Sequence, residues 1–235
     1  MRLLGRLLLC CACALCIVFP SVAQDKAEAR TLVIGLMPYL STRTLMANYQ
    51  PVADALQQSL KQPVTLLTAP NFDVFVERVL NGDYDVALLA PHYARLAIKD
   101  YGYAPLLLHK APIRGILVTG KDAPLKSFDE LRGHNIAIVD RSALIVIAGA
   151  LTLAENGLKE NQDYRFIETV THSSALHNAI TGKARAALVS HSTLVLASTE
   201  LQQNAQVWRD IATIPGQFYI AHNRLPPTRQ SAIKA

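Results

Sequence analysis

The sequence predicts an α/β protein of two lobes, each a mostly parallel sheet flanked by helices, with a cleft between the lobes. Short apolar runs alternate with amphipathic segments, which favours parallel strands connected by helices. The alternation starts again near residue 135, so two copies of one architecture stand in series. After residue 23 no apolar run approaches the length that spans a membrane, so we expect a mature chain that is not membrane-spanning.

The first copy begins with a strand that Pro38 ends. Residues 41–44 are helix-capping residues that precede regularly spaced apolar residues, which predicts a helix that runs to about Leu60. The alternation continues with predicted strands at 31–37, 63–68, 84–90, 106–108 and 114–119, and a helix at 71–80.

The second copy follows a short helix that ends at Gly133. Its predicted strands are 135–139, 165–168 and 186–189, its helices are 143–156 and 173–181, and a strand at 217–222 closes the fold. Pro226 starts a last helix of fewer than three turns, so we expect a chain that is truncated at its C-terminus. Lobe one is predicted to comprise residues 24–113 and 215–235, and lobe two residues 114–214.

The first 23 residues have the pattern of a signal peptide. Arg2 and Arg6 precede an apolar run, and Ser21-Val22-Ala23 offers the small residues that a signal peptidase reads. We therefore expect cleavage after Ala23 and export. A membrane anchor is the alternative, but the apolar run is shorter than a membrane span and no basic stop-transfer cluster follows it.

All four cysteines lie inside this leader. The mature chain then has no thiol for a disulfide, a zinc-thiolate site or a cysteine nucleophile. Lipidation of the leader is an alternative for which Cys13 is the nearest candidate. Without residues 1–23, which hold Arg2 and Arg6, the formal net charge falls from +5 to +3. This weak positive charge does not indicate a nucleic-acid partner.

Polar residues open the first predicted helix. The first turn of a helix has unpaired N–H groups and the positive end of the helix dipole, so it attracts phosphate-like groups. Ser41, Thr42 and Thr44 add hydroxyl donors, and Arg43 is placed to pair with an anion. The alternative is that Ser41 or Thr42 only caps the helix.

Further candidates follow the other strands. Tyr39 and Tyr93 come just after predicted strands, where ligands bind in open α/β sheets, although either ring could instead belong to the rim or the core. His172 and Ser173 precede a helix of the second lobe and would meet the anion from the opposite side. The alternative for His172 is a solvated neighbour of the helix cap.

Three segments resemble the phosphate-, phosphite- and phosphonate-binding periplasmic components of ABC importers. They are Pro38 to Met46, Asn81 to Tyr93 and Lys126 to Asp140. The resemblance implies the fold of type II periplasmic binding proteins and a periplasmic location. It also implies that tyrosines at these places line the cleft.

In the same family, the loop that starts at Asp140 contacts the ligand, which adds Asp140 and Ser142 as candidates. Here this loop continues into a markedly apolar stretch, residues 143–146. Ser190-His191 stands where relatives that bind aminophosphonates have an acidic residue. We therefore expect a simple oxyanion and not a ligand with an amino group.

The resulting hypothesis is a solute-binding protein that captures a small oxyanion for import through an ABC permease. The alternative is a sensing domain of the same fold that acts on a membrane sensor or another signalling partner. We expect no enzymatic activity, because no Gly-x-Ser-x-Gly, His-Glu-x-x-His or phosphate-loop motif occurs. We expect no cofactor and no metal, since His172 and His177 are five residues apart and do not share a helix face.

Overall fold

A computed structural model describes residues 30–235, which form two five-stranded sheets covered by helices. The predicted signal peptide and the four cysteines lie outside the described residues. The strands are β1 (Leu32–Leu36), β2 (Val64–Leu67), β3 (Val86–Leu89), β4 (Tyr103–Leu108), β5 (Ile113–Gly120), β6 (His134–Ile138), β7 (Tyr164–Glu168), β8 (Ala186–Ser190), β9 (Ala205–Ile214) and β10 (Phe218–His222).

The helices connect the strands and cover both sheets. They are α1 (Thr42–Leu60), α2 (Phe72–Leu80), α3 (Pro91–Asp100), a 3-10 helix (Phe128–Leu131), α4 (Leu144–Glu155), α5 (His172–Ile180), α6 (His191–Val195), α7 (Thr199–Asn204) and α8 (Pro227–Lys234). None of the helices within residues 30–235 combines the length and the apolar character needed to cross a bilayer.

The two sheets have the same topology, as the sequence predicted. The strand order is β2-β1-β3-β10-β4 in the first sheet and β7-β6-β8-β5-β9 in the second. In each sheet the first three strands are parallel, and the fourth, β10 or β5, is antiparallel to both of its neighbours. The predicted fold class of two mostly parallel sheets is therefore confirmed.

Several elements were not foreseen from the sequence. Helix α3 starts at Pro91 and buries only Ala94 and Ala97, and alanines give little hydrophobic periodicity. Strand β9 is an edge strand whose pairing with β5 shifts register twice. These shifts interrupt the alternation of buried and exposed side chains by which a strand is recognised in a sequence. Helices α6 and α7 span five and six residues, too few for a periodic pattern.

The central strands of the two sheets are buried. Every residue of β3 and β8 is buried. Buried Asp85, just before β3, accepts hydrogen bonds from Val33 N–H at 2.9 Å and from Arg224 Nε at 2.6 Å. These bonds connect β1, β3 and the segment after β10 at the amino ends of the parallel strands, the end of the first sheet that lies away from the second.

Two crossing segments connect the sheets. The chain leaves the first sheet after Leu108 and returns to it at Phe218, and the two segments are joined by a 2.9 Å bond from His109 N–H to the Gln217 carbonyl. A Cβ on buried Gly216 would lie 2.1 Å from the His109 carbonyl oxygen. Glycine therefore allows this close approach. The lobe boundaries at 113/114 and 214/215 stay a prediction.

Candidate functional site

A cavity of about 70 Å³ lies between the carboxyl ends of the parallel strands of the two sheets. A single buried water needs roughly 10–15 Å³, so the cavity has room for a small ligand. The lining residues are Met37, Tyr39, Phe72 and Ala90 from the first lobe, Ala143, Leu144, Ile145, His172, Ser190 and Ser192 from the second, Ile113 and Ile214 at the ends of β5 and β9, and Gln217 from the crossing before β10. Ligands bind at this end of open α/β sheets.

Helix α4 starts at the wall of the cavity and has free backbone donors in its first turn. The N-cap residue Ala143 has no side chain that can accept a hydrogen bond, and within residues 30–235 the N–H groups of Leu144 and Ile145 donate no hydrogen bond. The next N–H, that of Val146, donates to the Ala143 carbonyl at 2.8 Å. Two unpaired N–H groups at the positive end of a 12-residue helix favour an anion.

His172, the first residue of α5, brings a buried polar group to the same cavity. The residue is 4% exposed, and its Nδ1 atom has no hydrogen-bond partner in the described part of the chain. Burial lowers the pKa of His172 to about 4, so the ring is neutral at neutral pH. A buried nitrogen without a partner costs free energy, which a ligand that reaches the ring would recover.

Hydroxyl groups from the segment after β8 complete the polar side of the cavity. Ser190 Oγ accepts from Thr193 N–H at 3.3 Å and lies 3.0 Å from Ser192 Oγ and 2.8 Å from Thr193 Oγ1. Ser190 therefore caps α6, and Ser192 adds a hydroxyl at the cavity wall. In the sequence analysis Ser190 was considered only because relatives that bind aminophosphonates have an acidic residue there. Ser192 and Gln217, which also line the cavity, were not among the candidates.

The predicted anion site at the start of α1 does not line this cavity. Ser41 Oγ accepts from Thr44 N–H at 3.3 Å and lies 2.8 Å from Thr44 Oγ1, which is the capping role. Thr42 and Arg43 are exposed. Ser173, next to His172, is also not among the lining residues.

Of the two candidate tyrosines, Tyr39 lines the cavity. Its hydroxyl oxygen lies 3.0 Å from that of Tyr49, a residue of α1. Burial raises the pKa of Tyr39, so its hydroxyl stays protonated and can serve as a donor.

Tyr93, Asp140 and Ser142 are brought together into a contact between the lobes. The Tyr93 hydroxyl of α3 donates to Ser142 Oγ at 2.6 Å. Ser142 N–H donates to Asp140 Oδ1 at 2.7 Å, and the Ser142 hydroxyl contacts the same carboxylate. Burial raises the pKa of Tyr93, which keeps it a donor. These residues do not line the cavity, but the contact joins the lobes one residue before Ala143.

This contact should be visible as an energetic coupling. We expect Tyr93→Phe and Ser142→Ala each to lower the free energy of unfolding by about 1 kcal/mol, and the double variant to lose about 1 kcal/mol less than the sum. Urea unfolding of the four proteins measures this coupling. Tyr101→Phe, at an exposed tyrosine, is the control. Strictly additive losses would mean that the free protein does not hold its lobes together at this point.

A wider cleft of about 700 Å³ adjoins the cavity and shares Tyr39, Ile113, Ser192 and Gln217 with it. Arg114 and His191 line this cleft but not the cavity. The cleft therefore extends from the cavity to the two segments that connect the sheets. In the described part of the chain, no three His, Cys, Asp or Glu side chains are grouped so that they would hold a metal ion.

Solved structures of other proteins have this fold. A binding protein component of an ABC phosphonate transporter from Pseudomonas aeruginosa matches with a TM-score of 0.74 and 15% identity, over 87% of this chain and 72% of that one. PhnD1 from Prochlorococcus marinus in complex with methylphosphonate matches with a TM-score of 0.71 and 13% identity, over 87% of this chain and 82% of that one.

A histidine kinase sensor domain with similarity to periplasmic binding proteins matches less well, with a TM-score of 0.60 and 15% identity over 88% of both chains. At these identities the structures establish the two-lobed type II fold. The family model for the periplasmic substrate-binding protein of phosphonate ABC transporters matches residues 34–235. The chain therefore belongs to the family of periplasmic substrate-binding proteins of phosphonate ABC transporters.

Proposed function

We propose that this protein binds a phosphonate-class oxyanion in the cavity between its lobes and delivers it to the permease of an ABC importer. The observation that carries the proposal is the pair of free N–H groups at Leu144 and Ile145, together with the unpartnered Nδ1 of buried His172, at one cavity. An oxyanion is the ligand that such donors favour. Family membership supports the same ligand class.

The proposed site differs in part from the residues suggested by the sequence. Tyr39 and His172 are proposed to contact the ligand, and Tyr93, Asp140 and Ser142 to hold the lobes together around it. The proposal gives Ser41 and Thr44 the role of capping α1, in keeping with their hydrogen bonds. The predicted roles of Thr42, Arg43 and Ser173 as ligand contacts would require a movement of the lobes.

We propose that the protein binds its ligand without catalysing a reaction. Catalysis by a serine needs a base beside the nucleophile. Ser190 Oγ is instead hydrogen-bonded to Thr193 and lies beside Ser192. We propose export through the predicted signal peptide and action in the periplasm, where the permease is reached. The alternative partner is a membrane sensor, and stimulation of ATP hydrolysis by the reconstituted permease would distinguish the two.

The experiment removes one backbone donor from the start of α4. Proline is tolerated at the first position of a helix, and Ala143 already has the extended conformation (φ −61°, ψ 126°) that precedes a proline. Leu144→Pro therefore deletes one N–H group and should keep the helix. Leu144→Ala is the matched control, because it removes the side chain and keeps the N–H.

Titration calorimetry with methylphosphonate, ethylphosphonate, phosphite, phosphate, sulfate and acetate should detect binding of at least one phosphonate to the wild type. We expect Leu144→Pro to bind that ligand at least tenfold more weakly than Leu144→Ala, as a lost bond to a charged group implies. A folded wild-type protein that binds no phosphonate would overturn the proposed function. Equal affinities of the two variants would show that the ligand does not bind to the N–H group of Leu144.

A further inference from the structure

Most of the polar groups of the cavity belong to the second lobe. The donors described above, the N–H groups at the start of α4, His172, Ser190 and Ser192, belong to the second lobe. The first lobe contributes Met37, Phe72 and Ala90, together with two polar groups: the Tyr39 hydroxyl, which already lies 3.0 Å from Tyr49, and Gln217 just before β10. A ligand that packs on Met37 and Phe72 therefore faces hydrocarbon on that side and the donors of the second lobe on the other.

The apolar side is a formed surface. Met37 and Phe72 are 2% and 5% exposed and belong to the same hydrophobic core cluster as Ile145. An oxygen of the ligand that faced this surface would lose its hydration without gaining a hydrogen bond, which is unfavourable. A carbon atom in the same position would gain from the contact.

The cavity also has no charged group that would pair with an ammonium. None of its thirteen lining residues is an Asp, Glu, Lys or Arg, and the pKa of about 4 keeps His172 neutral. A primary amine that entered the cavity would be buried as an ammonium without a counter-charge, and this cost far exceeds the favourable free energy of burying a methylene group. With about 70 Å³ of space, the cavity suits a headgroup with a short substituent.

We propose that the ligand is a phosphonate with a short, uncharged alkyl group, whose carbon atoms pack on Met37 and Phe72 while its oxygens face the second lobe. This inference rests on the proposed function, and it makes Met37 and Phe72 the residues that determine specificity. Inorganic phosphate, with an oxygen in place of the carbon, and 2-aminoethylphosphonate, with an ammonium, are the ligands that the cavity disfavours.

The first test is the order of affinities of the wild-type protein in titration calorimetry. Ethylphosphonate should bind about fourfold more tightly than methylphosphonate, the gain expected for one buried methylene. Phosphate and 2-aminoethylphosphonate should bind at least tenfold more weakly than ethylphosphonate.

The second test adds a carboxylate on the apolar side. Ala90 is the N-cap residue of α3 and lacks a side-chain cap, so aspartate suits the helix at this position. For each protein we compare the affinity for 2-aminoethylphosphonate with the affinity for ethylphosphonate. In Ala90→Asp this ratio should be at least tenfold higher than in the wild type. Ala90→Asn has the same size without the charge and should keep the wild-type order.

The outcomes separate the two proposals. If the wild type binds phosphonates but prefers 2-aminoethylphosphonate or phosphate to ethylphosphonate, the inference about the alkyl group is wrong and the proposed function stands. If no phosphonate binds, the proposed function itself fails. A shift of preference that is equal in Ala90→Asp and Ala90→Asn would also contradict the inference, since charge would then not be the cause.

Discussion

His172 alone should make the folded protein lose about 3 kcal/mol of stability as the pH falls from about 6.5 to about 4. Burial lowers its pKa to about 4, whereas a histidine in the unfolded chain has a pKa of 6.5. Between these values the unfolded state binds a proton that the folded state does not. The stabilisation is therefore complete above the unfolded pKa and is lost on acidification towards the folded one.

Urea unfolding at about pH 7 and about pH 4 measures this loss. His92 and His222, whose pKa values are also lowered by burial, add losses in the same direction, so the comparison must be with a variant. In His172→Gln the loss on acidification should be smaller by about 3 kcal/mol. His177→Gln, at an exposed residue of the same helix, should behave like the wild type. An equal loss in wild type and His172→Gln would show that the ring is hydrated in solution.

Gly216→Ala should destabilise the protein by about 3 kcal/mol and weaken ligand binding, because the added methyl group meets backbone atoms. Its Cβ would lie 2.1 Å from the His109 carbonyl oxygen and 2.7 Å from that of Ala111. These oxygens cannot move away as a side chain would. The two crossing segments must separate, which breaks the bond from His109 N–H to the Gln217 carbonyl and displaces Gln217 at the cavity wall.

Gly102→Ala is the matched control for this variant. Gly102 has a positive φ of 69°, but no atom lies within 4 Å of the position of its Cβ. Its replacement should cost about 1 kcal/mol through backbone strain and leave ligand affinity unchanged. If Gly216→Ala were no more destabilising than Gly102→Ala, the crossings would not be packed as closely as the structure has them.

Local patterns were enough to predict most of the fold. Apolar runs and capping residues located α1, α2 and the three parallel strands of each lobe to within about two residues, since these signals act between chain neighbours. The order of strands and helices then indicated the two-lobed architecture. Helix α3 and strand β9 were missed because the buried face of α3 contains only alanine and the pairing of β9 shifts register.

The lining of the cavity was predicted less completely. Ser41 and Thr42 were favoured because hydroxyl residues before a helix are a recognised anion signal, yet Ser41 caps α1 and the cavity lies elsewhere. The free donors belong to Leu144 and Ile145, whose side chains carry no polar group. The available clue was Ala143, a residue that cannot cap the apolar helix that follows it.

By itself, the sequence determined the alternating elements, the two-lobed fold and the absence of thiols after residue 23, because composition and periodicity are properties of the chain alone. Only the tertiary structure decided which groups meet. The burial of His172, the contact between Tyr93 and Ser142, and the meeting of Met37 and Phe72 with the donors of the second lobe at one cavity all depend on segments distant in sequence. Hydration and hydrogen bonding of a side chain are set by these neighbours.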